Sequence, residues 1–277
     1  MNTLRIALCQ MMVNQESKKT NIFKAKTMIY EAANKGADII ALPEMFNCPY
    51  NNKYFREYAE TYPKGETINM LSCAAKEKKV FIIGGSIPEL DEQGRVFNTS
   101  FIFDNKGILI GKHRKIHLFD IDIKNGVRFK ESEVLTSGGE ITMIDTPWGK
   151  VGVAICYDIR FPELTRIMAL KGAKIVLMPA AFNMTTGPAH WELLFKSRAL
   201  DNQIFVAGIS PARNDNYSYV AYGNSLIADP WGSIISRLDE KEGILIQDID
   251  LEHIDEIRES LPLLKHRRVD IYKLDTL

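Results

Sequence analysis

No run of about 20 apolar residues occurs in this 277-residue chain, so no segment is long enough to cross a bilayer as a helix. Net charge is missing too. The 35 basic residues are matched by 35 acidic ones, which argues against a protein built to coat nucleic acid or an anionic membrane. Cysteine is scarce: Cys9, Cys48, Cys73 and Cys156 lie far apart with no CxxC, which leaves zinc knuckles and thioredoxin-like motifs unsupported. The opening MNTLRIALCQ has no basic segment leading into an apolar stretch and a small-residue cleavage site, so no secretory signal is expected. Free thiols without a signal point to a reducing cytoplasm. No GxGxxG opens a helix after the first strand, which removes local support for a dinucleotide fold. Metal-ligand and cofactor motifs are also missing, so the expected chemistry uses neither.

What is present is ordinary globular material. With 45% hydrophobic and 25% charged residues, the chain can bury a large core. RIALCQ (5–10) reads as a buried strand. Residues 21–35 carry apolar side chains at Ile22, Ala25, Met28, Ile29, Ala32 and Ala33, a helical stripe stopped by Gly36. Strands are expected at 37–44 and 80–87, with a helix at 67–79 between them. Short turns at 104–107 and 146–149 join strands at 96–104, 107–115, 140–145 and 151–158. A helix follows from Pro162, proline being tolerated in a first turn. Then come a strand at 174–180, a helix at 190–202, strands at 203–210, 224–237 (with a hairpin turn at PWG) and 243–250, and a last short helix at 251–262.

One internal echo sets the architecture. KGADIIALPE (35–44) and KGAKIVLMPA (171–180) share a plan of helix end, glycine, buried strand and proline. Two similar halves, each a sheet with helices on its outer side, predict a four-layer α-β-β-α sandwich in one domain spanning 1–277. A doubly wound single sheet is the structural rival.

Ligands of α/β folds collect beyond the carboxyl ends of strands. Three strands here end in reactive groups: IIALPE at Glu44, GILIGKHRK at Lys115 and VGVAIC at Cys156. A free cysteine is usually a buried structural thiol, the reading given to Cys9 and Cys73. The polar cluster YDIR after Cys156 argues otherwise there, and a nearby cation and helix start would favour its thiolate. No histidine context announces a Cys–His pair. Glu44, at a dry strand end, is the better proton acceptor. Lys115 would supply fixed positive charge for an oxyanion and the thiolate. Any one of these is weak evidence, since KHRK alone reads as a solvated face. The ordered set is far more specific.

ALPEMF, HRKIHLFD and VAICYDIRFPE resemble the three signature segments of the nitrilase superfamily of carbon–nitrogen hydrolases, and the likeness runs almost end to end. The resemblance implies the four-layer sandwich and a Glu44–Lys115–Cys156 triad. FKES (129–132) resembles a loop that adds a second glutamate, here Glu131. The oxyanion would lie between Lys115 and the Tyr157 N–H. FNMTTGPAHWELLFKSRALDNQ and FNCPYNNKYF look most like the omega-amidase branch, which cleaves 2-oxoglutaramate and 2-oxosuccinamate to the dicarboxylate and ammonia. A small-molecule amide is then the partner, with Arg160 anchoring its carboxylate and Tyr50 and Thr186 adding hydrogen bonds. Arg160 is equally open to a structural ion pair with Asp158 or Glu163. Cys48 would place a second thiol near the site. The resemblance further implies a homodimer, with a C-terminal arm over about 262–277 docking through Ile271, Tyr272 and Leu274. Competing expectations are an amidase for N-carbamoyl amines or deaminated glutathione, and an inactive scaffold.

Overall fold

A computed structural model describes residues 3–122 and 128–274. The chain runs β1 (Thr3–Gln10), α1 (Lys18–Asn34), β2 (Ile39–Ala41), α2 (Asn52–Tyr58), α3 (Glu66–Lys78), β3 (Phe81–Ile83), β4 (Ile87–Leu90), β5 (Val96–Phe103) and β6 (Leu109–Arg114). A small antiparallel pair, β7 (Asp120–Asp122) and β8 (Arg128–Lys130), separates these from the second half. That half comprises β9 (Thr142–Thr146), β10 (Gly149–Val153), α4 (Pro162–Leu170), β11 (Ala173–Pro179), α5 (Gly187–Asn202), β12 (Phe205–Ile209), β13 (Leu226–Ala228), β14 (Ile234–Arg237), β15 (Gly243–Asp250) and α6 (Glu252–Ser260).

Two sheets form. One is ordered β15-β1-β2-β3-β5-β4, with β6 also pairing β5; the other is ordered β14-β13-β12-β11-β10-β9. Because strand side chains alternate, β1 sends Leu4, Ile6 and Leu8 to one face and Ala7 and Cys9 to the other. The first set meets Val151, Val153, Ile175, Leu177 and Phe205 of the opposite sheet, which makes the central layer. The second set meets Ala25, Met28 and Ile29 of α1 and Leu71 and Ala74 of α3. On the far side, Val176, Met178 and Val206 pack under Leu164 and Met168 of α4 and Trp191 and Phe195 of α5. The layering is therefore α-β-β-α, as the paired halves predict, and not a single doubly wound sheet.

The halves are less separate than the echo suggests. β15 returns to the first sheet and pairs with β1 along its full length, from Thr3↔Asp250 to Gln10↔Gly243. The expected strand at 80–87 is also two strands, since the chain bends at Gly84 and Gly85. Gly85 has φ +53°, and a Cβ there would sit 2.2 Å from the Pro43 carbonyl oxygen. That close approach lets Ser86 bond the segment carrying Glu44: Ser86 N–H donates to Pro43 O (3.1 Å), and Ser86 Oγ accepts from Met45 N–H (3.0 Å). The helix α2 and the β7–β8 pair have no counterpart in the periodicity reading; both are too short for a clear repeat. Among the described residues no helix is long and apolar enough to cross a membrane.

Candidate active site

The three strand ends converge. Each reactive residue sits a step beyond its strand rather than on it: β2 stops at Ala41, β6 at Arg114 and β10 at Val153. Lys115 is fixed by its own N–H to Asn98 O (2.8 Å) and its carbonyl to Gly138 N–H (2.8 Å). Cys156 opens a 3₁₀ turn, Cys156–Arg160, with φ +47°. A non-glycine residue in the left-handed region is strained, and such positions persist where the surroundings hold them.

Glu44 is the hub. Its Oε1 accepts from Lys115 Nζ (2.9 Å) and Asn98 Nδ2 (2.9 Å), its Oε2 from the Ala181 N–H (2.8 Å). The charge of the same carboxylate also bears on the Cys156 thiol. Lys115 also reaches Glu131 (2.9 Å), whose other donors are Tyr50 OH (2.8 Å) and the Phe119 N–H (2.7 Å). Glu44, Lys115 and Glu131 are all essentially sealed from solvent, at 1%, 0% and 0% exposure. A buried charge is tolerated only when paired and hydrogen-bonded, and here each one is.

The electrostatics correct one expectation. Burial, and then the Glu44 charge, push the Cys156 thiol well above its ordinary range; Lys115 opposes them and loses. The direction of the shift favours a thiol over a thiolate at rest. Burial works against the Lys115 ammonium, but Glu131 and Glu44 outweigh it and raise its proton affinity. Burial raises Glu131, with Lys115 pulling down and Glu44 pushing up.

A second layer holds the arrangement. Asp158, fully buried, takes four donors: Ile155 N–H (2.9 Å) and His113 Nε2 (3.1 Å) on Oδ2, His117 N–H (2.9 Å) and His117 Nδ1 (2.8 Å) on Oδ1. A carboxylate has about four acceptor directions, so this one is saturated. Burial would raise its pKa, yet the bonds from His113 and His117 hold it well below the usual carboxylate range. His113 and His117 flank Lys115 in sequence. Asp158 thus ties the segment bearing Lys115 to the turn bearing Cys156.

The matching family model, carbon-nitrogen hydrolase, covers residues 5–259. The chain belongs to the carbon–nitrogen hydrolase family. It is 52% identical over 263 residues to nitrilase homolog 2 of Dictyostelium discoideum, covering 95% of this chain and 80% of that one. It is 51% identical over 275 residues to the omega-amidase NIT2 of Xenopus tropicalis, 99% of each. The crystal structure of Saccharomyces cerevisiae Nit3, a member of branch 10 of the nitrilase superfamily, superposes with a TM-score of 0.90 at 44% identity, over 96% of this chain and 97% of that one.

In this hydrolase the sulfur opens onto a narrow cleft lined by Cys156, Tyr157, Arg160, Phe182, Thr186 and Tyr219, with a cavity volume of about 10 Å³. Tyr157 follows the sulfur directly in the 3₁₀ turn. Arg160 forms neither of the ion pairs open to it: Asp158 is saturated, and Glu163 lies exposed. It donates instead to His190 Nδ1 (3.2 Å). Thr186 reaches the cleft with its hydroxyl near Asn183 Oδ1 (3.2 Å). Tyr50 is 8% exposed and already committed to Glu131, so it belongs to the carboxylate cluster rather than to the cleft wall. Cys48 packs beneath Tyr50 but aims at the Met45 carbonyl (3.9 Å), and burial pushes its thiol far up, so it adds no second nucleophile.

Asn98, Tyr219 and His190 escaped the sequence reading. For Asn98 a signal existed: the polar run NTS interrupts an otherwise apolar strand, with all of β5 buried. Tyr219 comes from a loop without periodicity, and its ring stacks on Tyr50 at 4.4 Å. Ile271 and Tyr272 of the expected arm stand 68% and 52% exposed, while residues 275–277 lie outside the described residues.

Proposed function

We propose that this carbon–nitrogen hydrolase is an omega-amidase that cleaves the terminal amide of 2-oxo acid amides such as 2-oxoglutaramate and 2-oxosuccinamate. One observation carries the mechanism: the buried Glu44 carboxylate is paired with the Lys115 ammonium at 2.9 Å, and its charge acts directly on the Cys156 thiol. Because the sulfur holds its proton at rest, attack requires a base, and Glu44 is that base. As sulfur bonds to the amide carbon, its proton passes to Glu44. Lys115 and the Tyr157 N–H stabilise the oxyanion. Collapse breaks the C–N bond, and protonated Glu44 gives its proton to the departing ammonia, leaving a thioester. Glu44 then takes a proton from water, whose oxygen adds to the thioester carbon. The carboxylic acid leaves, and the proton returns to sulfur. Glu131 holds Lys115 and Tyr50 throughout. The 51% identity to an omega-amidase over nearly the full length and the guanidinium of Arg160, unclaimed by any acid among the described residues, support a substrate with a distal carboxylate.

The test is a Cys156→Ala variant alongside wild type mixed with 2-oxoglutaramate and quenched in acid. Wild type carries an acyl mass on the peptide holding Cys156 and releases ammonia; the variant does neither and keeps its fold. An N-carbamoyl amine or deaminated glutathione outperforming 2-oxoglutaramate would reassign the substrate. Absence of both adduct and ammonia in wild type would make the chain a scaffold. The exposed apolar groups of the C-terminal arm fit a homodimer, and four unpaired cysteines fit the cytoplasm.

A further inference from the structure

We propose that His190 is a specificity-determining positioning residue, which holds the Arg160 guanidinium at the cleft without neutralising it and so selects amides bearing a distal anionic group. The inference rests on the reading of Arg160 as the carboxylate anchor. Arg160 Nη1 lies 3.2 Å from His190 Nδ1. A guanidinium has no acceptor, so it must donate, and the imidazole must offer a lone pair at Nδ1. His190 is placed by the first turn of α5, where its N–H bonds the Thr186 carbonyl (2.9 Å). Thr186 and Arg160 both line the cleft with Cys156.

The rest of Arg160 is held by groups that also leave its charge intact. The Phe182 and Tyr157 rings lie 5.0 Å and 5.7 Å from its guanidinium carbon, within cation–π reach. Its carbonyl and that of Ile159 receive Arg198 at 3.4 Å and 2.8 Å. The neighbouring acid that would cancel the charge, Asp158, is spent on the two histidines and the Ile155 N–H. A carboxylate partner would orient the guanidinium equally well, but would compete with a substrate carboxylate for it. An imidazole lone pair orients it and leaves a full positive charge for the ligand.

The experiment compares 2-oxoglutaramate with the uncharged butanamide by ammonia release, reading the ratio of their kcat/KM values in His190→Ala, His190→Asn, His190→Asp and Arg160→Met. Arg160→Met lowers the ratio about 10²-fold and His190→Ala about tenfold, the latter through KM for the anionic amide rather than kcat. His190→Asn, whose amide oxygen can stand near Nδ1, restores the ratio to within about threefold of wild type. His190→Asp keeps an acceptor but adds a counter-charge, and lowers the ratio at least as far as His190→Ala. The inference is overturned if His190→Ala weakens both amides equally, as a purely structural role would, or if His190→Asp keeps the wild-type ratio. Should Arg160→Met collapse the ratio while His190→Ala leaves it alone, only the role of His190 fails. Should Arg160→Met leave it unchanged, the anchor itself is wrong. His190 is half-buried on the first turn of α5, and circular dichroism checks the fold of each variant.

Discussion

Replacing Glu44 by glutamine separates two properties of Cys156 that a thiolate-at-rest site would keep together. Glutamine preserves the shape of Glu44 but removes the charge that takes the proton in the proposed mechanism. Its single oxygen can stay with Lys115 Nζ and Asn98 Nδ2, now at 2.9 Å each, which turns its amide toward the Ala181 N–H. Leaving such a buried donor without an acceptor costs about 1–3 kcal/mol, so Tm falls by several degrees while the fold survives. Turnover falls by about 10²–10⁴, the usual contribution of a general base. The sulfur responds oppositely. One cause of its raised pKa, the Glu44 charge, disappears, while burial and Lys115 remain. Each pKa unit regained multiplies the thiolate fraction at neutral pH about tenfold and, after the drop in intrinsic nucleophilicity, the alkylation rate about threefold. Iodoacetamide labelling followed by site-resolved mass spectrometry reads this directly, with exposed Cys73 as the internal standard. Labelling of Cys156 should rise or hold in Glu44→Gln while amide hydrolysis collapses. Labelling that falls in step with turnover would show that Glu44 maintains a thiolate, and the proton-transfer scheme would be wrong.

Other perturbations follow the same geometry. Glu131→Gln leaves Lys115 one full carboxylate instead of two and should lower kcat about tenfold to hundredfold with a smaller change in KM, measured by steady-state ammonia release. Asp158→Asn turns an amide N–H₂ toward groups that themselves donate, and should cost about 2–6 kcal/mol of stability at neutral pH by urea titration. The same variant should change the acid limb of stability. Folded Asp158 titrates below its unfolded value, so its stabilisation is complete above about pH 4 and is lost as pH falls below it, where the unfolded chain binds the extra proton. Urea midpoints at pH 7, 4 and 3 should converge between wild type and variant as pH drops; a constant gap would rule out this role for the charge.

Much of this was legible in residue order. The amphipathic stripe of α1, the alternation on β1 and the repeated glycine–strand–proline plan are local patterns, and they suffice for two helix-covered sheets. Glu44, Lys115 and Cys156 were legible because each ends an apolar run, where a polar group has to lie at the rim of a sheet. The excursion at Gly84–Gly85, the short helix α2 and the return of β15 to β1 were not, because they depend on contacts between distant segments and not on any repeat.

What the sequence by itself determined is therefore the inventory of reactive groups and the layers that carry them. The tertiary structure alone decided their states: that the sulfur rests protonated, that Asp158 belongs to His113 and His117, and that Arg160 leans on His190 with its charge unspent. The reason is physical. Secondary structure follows from side-chain periodicity along the chain, whereas ionisation and pairing follow from burial and from separations of about 3 Å between residues far apart in sequence, which only folding sets.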